Sequence, residues 1–443
     1  MKVGIIGGGI GGLGAAYHLA NTGHEVVVYE RAPFLGGLAA PFDIGGGRLE
    51  RFYHHLFLSD TTIIELLEEL GLKDHLIWED SKVGFFYGGK LYKFSTPTDL
   101  LRFTPVSLLD RIRMGLVSMY LQRTKNWQKW EGITAATFIR KWAGKRNYKV
   151  IWEPMLKGKF TVYFDKVAMP WLWSKFATRV SSRDRRFNEK LGYISGSWGV
   201  LIDELENRIQ QMGGDVFKNT EVTRVLTDSG KVRGLVSKDA NGNIKERSFD
   251  LVIATIPSFT LPKLVELPQE YIDKLQGVEY EGAIAAVWVL KHKLSHIYWL
   301  NIADNDIPFL LLLEQTNLVP SEEYGGKHII YTANYVTRED RHWSMSEDEI
   351  MREYIPHMKK INPDFDESWV DEFYLHKEPA AQPIITVNYR DKMPNVKTPI
   401  AGLWLAAMSQ VYPEDRGTNY SLKLAINVAK EAVTSMDEGK IVS

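Results

Sequence analysis

The sequence predicts an α/β protein in which a unit built on a parallel sheet is interleaved with a mixed α+β unit. Three observations carry this. An apolar strand, a glycine-rich turn and a helix open the chain at residues 2–21. A glycine-led helix, a strand, two hairpins and an apolar strand recur at 191–257. A strand, a polar turn and a helix close the chain at 399–435. No internal repeat, low-complexity tract or long linker separates these blocks, so the two units must share the chain rather than follow one another.

The opening block is a dinucleotide-binding motif. Val3 to Ile6 is the apolar run of a buried parallel strand. Gly7-Gly8-Gly9-Ile10-Gly11-Gly12 follows it in the pattern G-x-G-x-x-G. Gly7 allows the tight turn, Gly9 a close approach of backbone to a pyrophosphate, and Gly12 close packing of helix on strand. The first turn of the helix, with Ile10 and Gly11, offers free N–H groups and the positive dipole end to phosphates. Glu30 ends the second strand, placed to accept hydrogen bonds from a ribose diol.

After Glu30 come Arg31 and then the pair Gly36-Gly37, followed by Leu38. A Gly-Gly pair a few residues past the ribose acid resembles the FAD signature of the superfamily of amine oxidases, protoporphyrinogen oxidases and phytoene desaturases. UDP-galactopyranose mutase belongs to the same structural group. The resemblance implies a Rossmann-like FAD-binding domain of the glutathione-reductase type, with FAD held tightly and non-covalently. It makes Arg31, Gly36, Gly37 and Leu38 cofactor-binding residues, although Leu38 stands where the signature usually has Arg. It also runs residues 43–60 along the flavin toward its ring, which makes His54 and His55 the candidate catalytic residues. Taken singly, each would be a satisfied structural histidine.

Residues 60–71 read as a capped amphipathic helix stopped by Gly71, and 82–92 as a hairpin. Over 98–142 the pattern is helical, with Leu100, Leu101, Leu108, Leu109, Ile112, Leu116 and Met119 among interleaved basic residues. A membrane-surface helix and a core helix both fit; Asp110 and Pro105 dilute a basic amphipathic face and favour the core helix. Trp171, Trp173, Arg179, Arg183, Arg185 and Arg186 suit a pocket for an anionic or aromatic substrate, or else a solvated basic face. Lys157 and Lys159 read as surface lysines rather than as the lysine that holds a water near flavin N5 in amine oxidases.

Residues 200–212 form the next helix, and Asp228-Ser229-Gly230 and Asn241-Gly242 mark hairpins. The resemblance has Val222 present its backbone to the adenine. Apolar runs at 282–290 and 309–313, with 298–300 and 328–335, suggest an antiparallel sheet, and 346–361 a helix. At the C-terminus the superfamily's strand, turn and helix point a helix start at the flavin, which makes Arg416, Gly417, Thr418 and Asn419 cofactor contacts. Ala407-Met408 replaces the Gly-Asp that usually ends this strand, so either Asp415 substitutes or backbone donors suffice. The domain reading is therefore 1–80, 190–260 and 390–443 for FAD, and 81–189 with 261–389 for substrate.

Composition bounds the rest. At 443 residues the chain is long enough for two or three domains, and its net charge of −1 gives no electrostatic case for nucleic acid. Zero cysteines exclude disulfides, cysteine-ligated iron–sulfur clusters and a cysteinyl link to flavin. No metal site is expected. A strand at residue 2 leaves no room for a signal peptide, and the apolar runs are too short to span a bilayer, so a cytoplasmic chain without a transmembrane segment is expected, with peripheral membrane contact left open. The expected partner is a small molecule, apolar or anionic. The expected activity is hydride transfer between FAD N5 and an organic substrate. A flavin-dependent sugar mutase, with Arg179, Arg183 or Arg390 gripping a diphosphate, and a non-catalytic binding protein of the same fold are the alternatives. Tyr193, Trp198, Trp299 and Tyr389 are candidate pocket aromatics, with core packing as the default for each.

Overall fold

A computed structural model describes residues 1–182 and 189–441. Its central feature is a five-stranded parallel sheet in the order Asp215–Phe217, Glu25–Tyr29, Lys2–Ile6, Leu251–Ala254, Leu403–Leu405. Four of these strands carry almost unbroken apolar runs, because helices and a β-meander cover both faces. Helix Ile10–Asn21 lies against the C-terminal helix Thr418–Ile441 so closely that a Cβ on Gly14 would stand 2.0 Å from Leu422 Cδ1. The meander Thr220–Asp228, Lys231–Asp239, Ile244–Ser248 turns at the two predicted hairpins.

A second sheet of seven strands takes the order Val370–Pro383, Tyr280–Leu290, His328–Val336, Leu311–Glu314, Trp299–Ile302, Val83–Tyr87, Lys90–Lys93. The four strands read as an antiparallel sheet pair that way, and the hairpin at 83–93, not expected in this sheet, joins it where Val83–Tyr87 pairs parallel with Trp299–Ile302. The edge strand Val370–Pro383 was not expected either. It is polar and contains Pro379, which an edge tolerates and a central strand does not.

The region 98–142 is three helices, Pro97–Arg102, Leu108–Arg123 and Ala135–Trp142, the first two capped by Thr96 and Ser107. The core reading of this region needs correction. Leu101, Leu108, Leu109, Ile112, Leu116 and Met119 are exposed, Leu109 to 80%, while the same long helix buries Met114, Val117 and Leu121. The helix is apolar on two opposite faces, and periodicity alone does not say which faces inward. Helix Met169–Ser181 packs beside it: Trp173 Nε1 donates to the carbonyls of Leu121 and Thr124 at 3.1 and 2.9 Å.

Candidate functional site

At the N-terminal turn the backbone is laid bare. Gly7 has φ +109°, a conformation that side chains resist, and a Cβ on Gly12 would stand 2.0 Å from the Gly7 carbonyl oxygen. Gly36 N–H donates to Gly8 O at 2.8 Å, which sets the second glycine pair beside the first. A Cβ on Gly9 would meet nothing nearer than Gly37 Cα at 3.9 Å. Helix Ile10–Asn21 begins with no side-chain cap and no acidic residue in its first turn, so its leading N–H groups are left to an anion. Ile10 is buried, and a Cβ on Gly11 would press on Ser421 O at 3.1 Å. These two positions therefore offer a ligand their backbone alone.

Glu30 sits at the strand end as expected. Its carboxylate accepts from Gly8 N–H at 2.7 Å and Ala32 N–H at 2.8 Å, which fixes its orientation and leaves a second lone pair on each oxygen. Val222 packs in one apolar cluster with Ile6, Val27 and Tyr29, on the strand whose first residue, Thr220, donates its N–H to Glu30 O at 2.8 Å. Arg31 is exposed and lines a surface hollow with Asn219, Glu221, Lys238 and Asp239. Leu38 packs with Phe52 and Leu310 against Ala283, Tyr335 and Ala381 of the large sheet, and so supplies no cation where the signature usually has one. The bare glycine turns, the uncapped helix start and the oriented acid together fit the pyrophosphate and ribose of a dinucleotide.

A different kind of site lies at the start of the C-terminal helix. Asp415 accepts from Lys159 Nζ at 3.0 Å, from Lys175 Nζ, from Trp171 Nε1 at 2.9 Å and from Gln382 Nε2 at 3.2 Å. All four lone-pair positions are then filled, so Asp415 has none left for a ribityl or phosphate group and does not substitute for the missing strand-end aspartate. Burial opposes its ionisation, but Lys159, Lys175 and Arg416 outweigh that and hold its carboxyl well below the usual range. Arg416 donates to Gln382 Oε1 at 3.1 Å and to the Tyr335 hydroxyl at 2.7 Å. Burial alone would raise the Tyr335 phenol; Arg416 and Lys159 overcome it and bring the phenol below its ordinary value.

Glu281 lies opposite Gln382 in the sheet, and Ala283 opposite Tyr335, so Glu281, Gln382 and Tyr335 share one face. The Thr161 hydroxyl donates to Glu281 Oε1, from a residue held at φ +34°, a strained position for a β-branched side chain. Glu281 Oε2 is buried without a hydrogen-bond partner among the described residues, and burial pushes the carboxyl up to about 7.

His54 and His55 are on the segment that approaches this cluster. His54 Nδ1 lies 2.6 Å from Phe52 O, with its ring against Trp198 at 5.5 Å, and burial lowers its pKa to about 4. His55 Nδ1 lies 3.2 Å from the Tyr298 hydroxyl amid Phe57, Tyr298 and Trp299, and burial lowers its pKa to about 3. Both rings are neutral at pH 7 and packed on aromatics. Thr418 and Gly417 stand at the helix start, while Asn419 Oδ1 accepts from Ile63 N–H at 3.1 Å and ties that start to helix Thr61–Glu69. The arginines named for a diphosphate do not converge here. Arg390 pairs with Glu131 at 3.1 Å and Arg179 lies 3.9 Å from Glu189. Arg183, Arg185 and Arg186 lie outside the described residues.

Sequence reasoning missed Lys175, Tyr335, Gln382 and Glu281, none of which sits in a motif. Lys159 corrects a direct expectation: it is mostly buried on Asp415, and only Lys157 is a surface lysine, paired with Glu153 at 2.9 Å. Its apolar surroundings, Phe160 and Trp171, were the available signal. Tyr193, Trp198 and Tyr389 are buried, as the default had them, Tyr193 and the Trp198 N–H holding the buried Glu50 carboxylate. Trp299 instead lies at 5.3 Å from Tyr53 and 5.5 Å from His55.

The profile described as flavin containing amine oxidoreductase matches residues 10–413. The chain is 22% identical over 444 residues to 15-cis-phytoene desaturase, chloroplastic/chromoplastic, of Glycine max, covering 92% of this chain and 75% of that protein. Its fold is similar to that of an oxidoreductase from Methanosarcina mazei, with TM-score 0.75, 20% identity, and coverage of 97% and 100% of the two chains. It is similar too to reduced UDP-galactopyranose mutase, with TM-score 0.74, 13% identity, and coverage of 98% and 95%.

Proposed function

The chain belongs to the flavin-containing amine oxidoreductase family, an FAD-dependent oxidoreductase, and from that premise we propose that it exchanges a hydride with a small organic molecule carrying an anionic group. The observation that supports the anionic group is the imbalance at Asp415, where Lys159, Lys175 and Arg416 surround one carboxylate. Glu281 adds little to the balance, because burial raises its carboxyl to about 7. Partly buried cations in excess of their anions are stabilised by a ligand that brings negative charge. FAD, held non-covalently, supplies the hydride acceptor or donor at N5.

The residues take separate tasks in this reading. Gly9, Ile10 and Gly11 present backbone N–H groups to the pyrophosphate, beside the second turn formed by Gly36, Gly37 and Leu38, while Gly7, whose N–H donates to Tyr29 O at 2.9 Å, and Gly12 shape the turn that exposes them. Glu30 takes the ribose diol, with Arg31 and Val222 bordering the adenine end, and Arg416 to Asn419 set a positive helix start at the ring. Residues 1–80, 190–260 and 390–443 form the FAD-binding unit, and 81–189 and 261–389 the substrate unit. Lys159 and Lys175 receive the anionic group while Asp415 holds them in place. Glu281 Oε2 is the oxygen that holds a substrate proton. His54 and His55, both neutral, shape an aromatic wall and keep water out rather than carry charge. The same reading includes peripheral contact with a membrane surface, supported by the exposed leucines of helix Leu108–Arg123.

The test uses purified holoprotein under anaerobic conditions. Flavin bleaching is recorded with donors offered both as free carboxylic acids and as their methyl esters. Bleaching by acids and not by the matching esters is the expected result. Equal bleaching by both, or by neutral donors alone, overturns the anionic assignment. Turnover that requires pre-reduced flavin with no net redox change overturns the oxidative reading in favour of a mutase.

A further inference from the structure

The outward face of helix Leu108–Arg123 is an exposed apolar feature that the oxidoreductase site leaves unused. Leu109, Ile112, Leu116 and Met119 recur at intervals of three and four residues, which lines them along one side of the helix. The buried Met114, Val117 and Leu121 occupy the opposite side, so the exposed row is not core turned out by a frayed end. Two neighbours extend the row. The carbonyl of the exposed Leu101 accepts from Arg111 Nη1, and Arg113 donates to the carbonyls of Lys141 and the exposed Trp142, both at 2.6 Å. An apolar face of this breadth marks an interaction surface.

Charge decides what covers it. Residues 96–150 hold eleven Lys and Arg against three Asp and Glu, a local net charge of +8 in a chain whose net charge is −1. Arg102, Arg113, Arg123, Lys125, Lys141 and Lys145 are exposed around the row. A second copy of the chain would bring the same positive charge to the same face and be repelled. A surface with an apolar interior and negative headgroups satisfies both halves of the pattern, the leucines in the acyl boundary and the cations at the headgroups. Among the described residues no helix is long and apolar enough to cross a membrane, so the contact is one of lying on the surface.

We infer that the face formed by Leu101, Leu109, Ile112, Leu116, Met119 and Trp142 seats on a bilayer rich in anionic lipid. This rests on the peripheral contact proposed above and adds the lipid charge and the seating residues.

The test is co-sedimentation of the full-length holoprotein with vesicles of phosphatidylcholine alone, or of phosphatidylcholine mixed with phosphatidylglycerol. Binding to the mixed vesicles that weakens at high salt is expected. Leu109→Glu with Leu116→Glu should weaken it about a hundredfold, from two leucines no longer buried. Arg123→Glu with Lys125→Glu should cost roughly fivefold or more for each cation removed. All four side chains are exposed, and unchanged flavin absorbance and thermal midpoint show that the variants fold. Equal, salt-insensitive binding to both vesicles would overturn the anionic-lipid inference and leave peripheral contact standing. No binding to either, or dimerisation abolished by the leucine variant, would overturn the contact itself.

Discussion

Between residues 7 and 37 glycines bring bare backbone to the surface a dinucleotide would use, whereas side chains from three distant segments, Lys159, Lys175 and Gln382, converge on the one carboxylate of Asp415. The first region is specified by what is missing: a Cβ on Gly12 has nowhere to go. The second is specified by what must be neutralised, since each ion there is tolerable only because the others are present. A backbone site fails by steric exclusion and should fail locally. An ionic cluster fails by leaving a charge unpaired, and neighbouring substitutions should couple.

Asp415→Asn should give the largest effect, a loss of about 2–4 kcal/mol in unfolding free energy, because it strands Lys159 and Lys175, the latter partly screened by water. Adding Lys175→Met should restore part of the loss. Thermal or urea unfolding measures both, and strict additivity would deny the coupling that distinguishes this region. The sign with pH follows from the depressed carboxyl. Its contribution is present above the unfolded value of 3.8 and lost as pH falls below it, so Asp415→Asn should flatten the acid limb of the stability curve.

Gly12→Ala should cost about 3 kcal/mol by overpacking against the Gly7 carbonyl, and the purified protein should carry little or no flavin colour. A yellow Gly12→Ala protein with full flavin occupancy would break the contrast, by showing that the backbone can give way. Glu30→Gln removes a charged acceptor yet keeps its shape. We expect FAD to bind about tenfold to a hundredfold more weakly, read by titration of the apoprotein, and the apoprotein to lose about 1–3 kcal/mol, because the amide NH2 cannot accept from one of the two donors, Gly8 N–H or Ala32 N–H.

The smallest effect sharpens the boundary between the regions. His55 has a folded pKa of about 3 against 6.5 unfolded, so its contribution is complete above pH 6.5 and declines as pH falls toward 3. His55→Gln should shrink the stability difference between pH 7 and pH 5 by about 2 kcal/mol. A larger change would show that the ring is tied to the ionic cluster rather than packed beside it.

The same contrast explains what could be read from the chain. The cradle lies within some thirty residues, and each glycine or acid has a role fixed by its distance along the chain, so Gly7, Gly12, Glu30 and the Gly36-Gly37 pair could be named in advance. The cluster draws on positions 159, 175, 382 and 415, joined only by sheet register and helix packing that no local pattern records. Lys159 looked like a surface lysine because its partner is 256 residues away. Helix Leu108–Arg123 shows the complementary failure: its period was legible, but with two apolar faces the period did not say which one the protein keeps.

Helix Met169–Ser181 brings Trp171 and Lys175 to Asp415, and its Trp173 grips the last carbonyls of helix Leu108–Arg123. One stretch of this helix, residues 171–175, thus touches two different neighbours. If a ligand at the carboxylate shifts the helix, the affinity of the outer face for its surface changes. By reciprocity the surface then changes the affinity for the ligand by the same factor.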